Sequence, residues 1–368
     1  MPILVVALSG RALAAAARRA GAEVIVADLY GDTDTRALAP WHRLPGSLGH
    51  GIDSSAAAAL ARELPPMDGI VCGAGFEAAP NLLADLAQIA PLIGNTPETI
   101  AAVKDPFGFA ATLRRLGLPH PAVAARPESN GAWLRKRVGG AGGTHIRRAS
   151  DGDAAEPGSY YQAKAPGTPF AALFVADGHT ARVIGCSVQW TDPTPEQPFR
   201  YGGCVGPIDL APRRARWIDD ACAAIAAAFG LVGLNSLDML IEGDEIAILE
   251  VNPRPGATLD IHEDGPPRLW DLHCRGVSGD LPPARAIGTR QPRAATILYA
   301  DRPREIPPGL EWAPSIADIS APGSRFAAGD PICTVLSAGP DLAGARAQGR
   351  QRAEAVLRRL PELLPKTA

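Results

Sequence analysis

The sequence predicts a mixed α/β and α+β protein, with a parallel sheet first and antiparallel sheets after it. Three observations carry this prediction. Strand-like and helix-like segments alternate over residues 1 to about 95. Short apolar runs separated by turn residues follow, from about residue 120 to 190. Two longer strands, "LVGLNSLDMLIE" and "IAILEVNPRPG", then flank the turn Gly243-Asp244-Glu245.

In the first region "ILVVAL" is a continuous apolar strand, Arg11 to Ala20 a helix and "EVIVADL" a second strand. Asp53 to Leu64 reads as a helix, "GIVCG" as a strand, Glu77 to Gln88 as a helix and "PLIG" as a short strand. Such alternation implies a parallel sheet covered on both faces. The first turn, "SGRAL", lacks G-x-G-x-x-G, so a dinucleotide site is not expected. Asp28 reads as an ordinary strand-end residue. Thr96 is an N-cap with Pro97 at the first helical position. Asp105-Pro106 separates that helix from another ending near Gly117 and leaves Lys104 at the break.

The next region changes character. "AWLRKRV" is a strand carrying Lys136, and "GGAGGTHI" returns the chain into another. Gly139, Gly140, Gly142 and Gly143 allow a loop whose amides can turn toward a phosphate without Cβ obstruction. "YYQAKAPG", "FAALFVADG" and "ARVIGCSVQW" are short strands of antiparallel type. Arg213 to Phe229 is an amphipathic helix, "RAATILYA" and "DPICTVLSAG" are further strands, and Leu342 to Leu364 is a final helix.

At 368 residues, two or three domains are expected. Hydrophobic residues make 46% and charged residues 20%, a globular balance. A net charge of −3 gives no general attraction to nucleic acid or an anionic membrane. The apolar N-terminal run lacks the basic leader of a signal peptide. No segment approaches the roughly 18 apolar residues that span a bilayer. Six scattered cysteines without C-x-x-C suit buried thiols of a cytosolic protein. Only four of the 36 basic residues are lysines: Lys104, Lys136, Lys164 and Lys366. Lys offers a compact point charge to a phosphate, whereas Arg brings a planar fork; chance survival on the surface is the alternative.

Glu250, Asn252 and Arg254 alternate along one strand and so share a face. With a three-residue hairpin loop Asp238 stands opposite Glu250; with a two-residue loop it stands opposite Leu249. Facing carboxylates repel unless a cation lies between them. Two carboxylates and an amide oxygen suit Mg²⁺, and a solvated hairpin face is the other reading.

Taken in order, these pieces resemble the ATP-grasp superfamily over essentially the whole chain. "GAGFEAAP", "LEVNPRPGAT" and "AAGDPICTVLSAG" bring it close to carboligase-like members related to biotin carboxylase and to carboxylate–amine ligases. The resemblance implies a Rossmann-like parallel-sheet pre-domain over 1–95 and an ATP-grasp domain over 96–285, with a lid at about 120–165. A C-terminal segment, 286–368, would complete the core around a central antiparallel sheet. It implies that Lys104 and Lys136 contact ATP phosphates and that the Gly139–Gly143 loop closes over them. Gln162, Lys164 and Ala165 would line the adenine site, although the family often has Glu where Gln162 stands. Asp238, Glu250 and Asn252 would hold Mg²⁺ or Mn²⁺, and Arg254 would steady the transferred phosphoryl group.

The implied reaction activates a carboxylate as an acyl phosphate, which an amine then attacks. Ser9, Gly10, Gly75, Glu77 and Arg254 would bind these small substrates, as residues at the crevice a parallel sheet presents. Glu77 is equally readable as a helix N-terminal acid. His262 and Glu263 would touch the second substrate or make structural hydrogen bonds. The resemblance points to a cytoplasmic enzyme, a homodimer among its assemblies, and the biosynthesis of one-carbon carrier cofactors. A bicarbonate-using carboxylase-like enzyme and a non-catalytic ATP-binding regulatory subunit are the alternatives.

Overall fold

The computed structural model describes residues 1–47, 51–128, 131–150, 156–263, 267–281 and 291–363. Lys366, the expected helix end at Leu364 and the expected boundary at 285/286 lie outside them.

Four parallel strands open the chain, in the order Trp41–Arg43, Val24–Asp28, Ile3–Val6, Gly69–Cys72. Val24–Asp28 is buried at every residue, as a strand covered on both faces must be. The six-residue helix Thr33–Leu38 and the edge strand Trp41–Arg43 had no counterpart in the sequence reading. Both are too short for a repeating apolar pattern to show. "PLIG" contributes a single parallel bridge, Ile70 to Leu92, rather than a strand. The helix expected from Glu77 starts at Pro80, because Glu77 turns its carboxylate back onto the Gly75 and Phe76 amides at 2.8 and 3.1 Å. Glu77 is therefore not a helix N-terminal acid.

Thr96 caps Pro97–Lys104 by accepting from Thr99 N at 3.2 Å. Asp105 caps Pro106–Arg115 by accepting from the Phe107 and Gly108 amides, both at 3.1 Å. A capped break of this kind fixes Lys104 at the end of its helix.

A small antiparallel sheet follows, in the order Val123–Ala124, Ser159–Ala163, Trp133–Arg137, Arg147–Arg148. Beyond it lies an eight-stranded antiparallel sheet that starts Glu245–Asn252, Val232–Glu242, Thr168–Asp177, Ala181–Thr191, Tyr201–Gly206. Arg293–Tyr299, Pro331–Ala338 and Ile316–Ala317 complete it from the C-terminal segment. Helix Pro212–Phe229 covers one face, its Ile218, Cys222 and Ile225 packing in one cluster with Phe174, Leu237 and Ile248. The last helix, Leu342–Arg359, ends ahead of Pro361, which disfavours the helical conformation at Leu360. All six cysteines are free, and four of them are buried.

Candidate active site

The face that carries the acids is built by a hairpin irregularity. The turn pairs Glu242 with Glu245, which is a two-residue loop and alone would place Asp238 opposite Leu249. A β-bulge between Asp238 and Met239 inserts one residue, so Asp238 pairs with Glu250, Leu237 with Val251 and Ser236 with Asn252. The pairing expected of a three-residue loop is thus reached by a different route.

On this face Asn252 Nδ2 donates to Asp238 Oδ2 at 2.9 Å. Lys104 Nζ donates to Glu250 Oε2 and to Asn252 Oδ1, each at 3.0 Å. Burial and the neighbouring Glu250 carboxylate push Asp238 up from its ordinary value. Burial acts the same way on Glu250, but Lys104 and then Lys136 outweigh it and hold Glu250 down. The oxygens of Asp238, Glu250 and Asn252 form a hard donor set with one side open to the cleft, fit for a divalent ion that shares its shell with phosphate oxygens.

Lys136 is 5% exposed and donates to Gln162 Oε1 at 3.0 Å, two residues along the paired strand from its partner Tyr160. Burial lowers the Lys136 ammonium's pKa, partly offset by Glu250. Gln162 lies 3.4 Å from His120 Nε2 through its amide nitrogen. Lys164 is exposed, with its backbone amide on Ala132 O, and Ala165 follows it along the cleft.

The glycine loop spans two parts of the molecule. Gly139 has φ +68, and a Cβ there would overlap the Ala78 backbone in the first domain. At Gly143 a Cβ would overlap the Phe199 carbonyl, and Gly142 O accepts from Tyr201 N at 2.9 Å.

These elements enclose a cleft of about 1770 Å³. Lys136, Gly142, Gly143, His145, Asp238, Glu250, Asn252 and Arg254 line its polar centre. Phe170, Met239, Leu240 and the bulged Leu249 line it beside Lys164 and Ala165, an apolar slot suited to a planar base. His145 is pushed down to about 4, chiefly by burial and further by Lys136 against Glu250's opposite pull, so it stands neutral at pH 7.

The expected second-substrate wall is only partly brought together. Ser9 lines the cleft and donates to Asp318 Oδ1 at 3.3 Å. Gly10 lies behind it, its amide on Asp28 Oδ2 at 2.9 Å, and Gly75 with Glu77 also sits outside the lining. Glu77 instead accepts from Arg254 Nε at 2.7 Å. Burial opposes its ionisation, but Arg254 and then Lys104 hold the carboxyl below its ordinary value. Asp28 accepts from Gly10, Tyr30 and Gly31 amides and from Trp41 Nε1, an ordinary structural acid. His262 is 1% exposed and packs on Gly185; Glu263 caps Leu269 N at 3.1 Å; neither lines the cleft.

Sequence reasoning missed Arg11. Arg11 is 7% exposed; its guanidinium forks onto Asp260 at 2.7 and 2.5 Å and reaches Asp318 at 2.9 Å, tying helix Arg11–Arg19 to the short helix Leu259–His262 and to the C-terminal segment. A signal existed. A basic residue in the first turn of a helix opposes the dipole and calls for acidic partners elsewhere.

Residues 103–258 match the family model described as an ATP-grasp domain. The large chain of carbamoyl phosphate synthase from Rubrobacter xylanophilus is 25% identical over 228 residues, 54% of this chain and 21% of that protein. The same protein from Myxococcus xanthus is 25% identical over 194 residues, 46% of this chain and 18% of that protein. The alignments thus take in about a fifth of these relatives' length. Carboxyaminoimidazole ribonucleotide synthase from Aspergillus clavatus, solved with ATP, superposes with TM-score 0.70 at 16% identity, covering 98% of this chain and 99% of that one. The biotin carboxylase domain dimer of Hydrogenobacter thermophilus 2-oxoglutarate carboxylase, solved with MgADP and bicarbonate, gives 0.74 at 14%, covering 95% and 88%. At those identities the likeness is one of fold. No helix among the described residues is long and apolar enough to cross a membrane.

Proposed function

We propose, from the match of residues 103–258 to the ATP-grasp domain model, that the protein is an ATP-dependent ligase that joins a small carboxylate to an amine. The carrying observation is the Asp238–Glu250 pair, set opposite each other by the bulge and flanked by Asn252. This face and Lys136 line one cleft. Mg²⁺ or Mn²⁺ bound there supplies charge neutralisation on the β- and γ-phosphates.

The chain's own residues then divide the work. Asp238, Glu250 and Asn252 present the metal-binding oxygens. Lys136 meets the phosphates from the lid strand, with Gln162 fixing its ammonium. Lys104 holds the Glu250 and Asn252 oxygens; competition for them from a bound metal ion would leave its ammonium to phosphate oxygens. The Gly139–Gly143 loop closes between the first domain and Phe199 and excludes water. Lys164 and Ala165 border the base. Arg254, held by Glu77, faces the transferred group. The acid's oxygen attacks the γ-phosphorus, the bridging P–O bond breaks toward ADP, and an acyl phosphate forms. The amine nitrogen then attacks the acyl carbon, losing a proton, and inorganic phosphate leaves. Donors fixed in advance are what such charge-separated steps require.

A bicarbonate-using reaction is the second reading, favoured by the fold shared with the MgADP–bicarbonate complex. A homodimer in the cytoplasm, and a place in one-carbon carrier cofactor biosynthesis, complete the proposal. The test is ADP formation. Acid-plus-amine mixtures should stimulate it above bicarbonate-plus-amine mixtures. Stimulation by bicarbonate alone would favour the second reading, and ATP binding without turnover under any mixture would favour a regulatory subunit.

A further inference from the structure

The cleft extends to a polar end at the C-terminal ends of the parallel strands. Ser9, Tyr30, Gly31 and Asp32 line it from the parallel-sheet region, Asp260 from the short helix Leu259–His262, and Asp318 and Thr334 from the C-terminal segment. Its charges do not balance. Asp28, Asp32, Asp34, Asp260 and Asp318 converge there against one buried cation, Arg11.

Four of these acids are engaged. Asp28 holds three amides and Trp41. Asp34 holds the amides of Thr35, Asp318 and Ile319. Asp260 takes the Arg11 fork, and Asp318 takes Arg11, Ser9 and Thr334. Asp32 is different. It occupies the N-cap position of Thr33–Leu38 yet makes no capping hydrogen bond, and its carboxylate has no hydrogen-bond partner among the described residues. It is nevertheless 6% exposed and borders the cleft. Arg36, on the same helix, is held by Gly31 O at 2.8 Å and by the Trp41 ring at 4.2 Å, so it does not supply the missing charge. Burial, with Asp318, Asp34 and Asp28 adding to it, pushes Asp32 up to about 7. Tyr30 lines the same cleft, and burial first, then Asp32, Asp28, Asp330 and Asp318, push its hydroxyl above the ordinary range.

A largely buried carboxylate that meets only the cleft, among other acids and without a partner of its own, is costly unless a cation completes it. Among the described residues no group of three or more His, Cys, Asp or Glu is arranged to hold a metal ion. We propose that this end of the cleft binds the amine substrate as a primary ammonium ion, with Asp32 as its counter-ion and Tyr30 beside it. The inference rests on the ligase reading for its word "substrate", but the binding it asserts does not. An ammonium brings three donors, and a charge-assisted bond to a desolvated carboxylate is the strong kind.

The test measures binding without ATP, so it is separate from turnover. Ethylamine, butylamine and benzylamine, each against its own alcohol, are titrated into the full chain and followed by calorimetry and thermal shift. The amines should bind, the alcohols should bind at least tenfold more weakly, and Mg²⁺ should not compete. Asp32→Asn should lose at least tenfold in amine affinity and Asp32→Glu should keep part of it, with ATP affinity the same in both. Amines that bind no better than alcohols, or equally well to Asp32→Asn, would overturn the proposal. Competition by Mg²⁺ at this end of the cleft would overturn it in favour of a metal. Amine binding with no ADP formation under any acid-plus-amine mixture would leave this inference standing and reject the ligase reading.

Discussion

Lys104 Nζ stands 3.0 Å from both Glu250 Oε2 and Asn252 Oδ1, so the metal-binding face has a cation of its own. Lys104 is 7% exposed and Glu250 keeps 32% of its side chain toward the cleft. The pair is half buried, and its loss matters more on the lysine's side.

Glu250→Gln should therefore do two things. ADP formation should fall by orders of magnitude, because the donor set loses a charge. Stability without Mg²⁺ should also fall, by about 1–3 kcal/mol, because Lys104 is left buried beside a neutral amide. Asp238→Asn should lose ADP formation for the same reason but gain stability, keeping an acceptor for Asn252 while removing the repulsion across the pair. Melting curves of both variants in EDTA check this. An unchanged melting point for Glu250→Gln would mean the Lys104 contact is absent in solution.

Lys136→Ala should weaken ATP binding about 10- to 100-fold, the range of a lost charge-assisted hydrogen bond. It should not weaken the fold, since burial already disfavours the Lys136 charge. Lys104→Ala should weaken ATP less, since its ammonium already has two partners. Calorimetric titration with ATP decides, and parent-like affinity in Lys136→Ala would displace the phosphates from this strand.

Glu77 is a positioning residue, and its variants should show it. It is held by the Gly75 and Phe76 amides and grips Arg254 Nε at 2.7 Å, so Glu77→Gln, with no charge and one acceptor oxygen for three donors, loosens the guanidinium without touching the nucleotide. The expected outcome is an ATP Kd near the parent's and a kcat lowered about tenfold or more, as for a misplaced transition-state contact. Glu77→Asp should recover part of kcat. Equal losses in Kd and kcat would mean a general structural role.

What was legible in the sequence was whatever repeats along the chain. The buried run of Val24–Asp28 and the capped break at Asp105 declare themselves in a few adjacent residues. The Asp238–Glu250 pairing was open between two registers, because a two-residue turn and a bulge together mimic a three-residue loop. Composition does not separate these, since the bulged Leu249 is an unremarkable strand residue. Arg11 and Asp318 are 307 positions apart, so their contact depends on how three parts of the chain assemble. Lys104 was expected at phosphate; its carboxylate and amide-oxygen partners, Glu250 and Asn252, lie 146 and 148 positions away and were visible only once the helix end was set against the hairpin.

Asp32 gives a pH signature that needs no ligand. Its pKa in the folded chain is pushed up to about 7 by burial, then by Asp318, Asp34 and Asp28, with Arg11 opposing. Unfolded, it returns to about 3.9. A raised folded pKa means the favourable term is fully present below about pH 4 and is lost as pH rises through about 7. At pH 8 the parent therefore carries an ionised, buried and unpaired carboxylate, while Asp32→Asn carries a neutral amide of the same shape. The variant should melt a few degrees higher than the parent at pH 8, and at the same temperature near pH 4. Adding butylamine at pH 8 should raise the parent's melting point toward the variant's and leave the variant's where it was. A variant that melts lower than the parent at pH 8 would mean that Asp32 already has a cationic partner within the protein, and that the charge imbalance at this end of the cleft is met from inside.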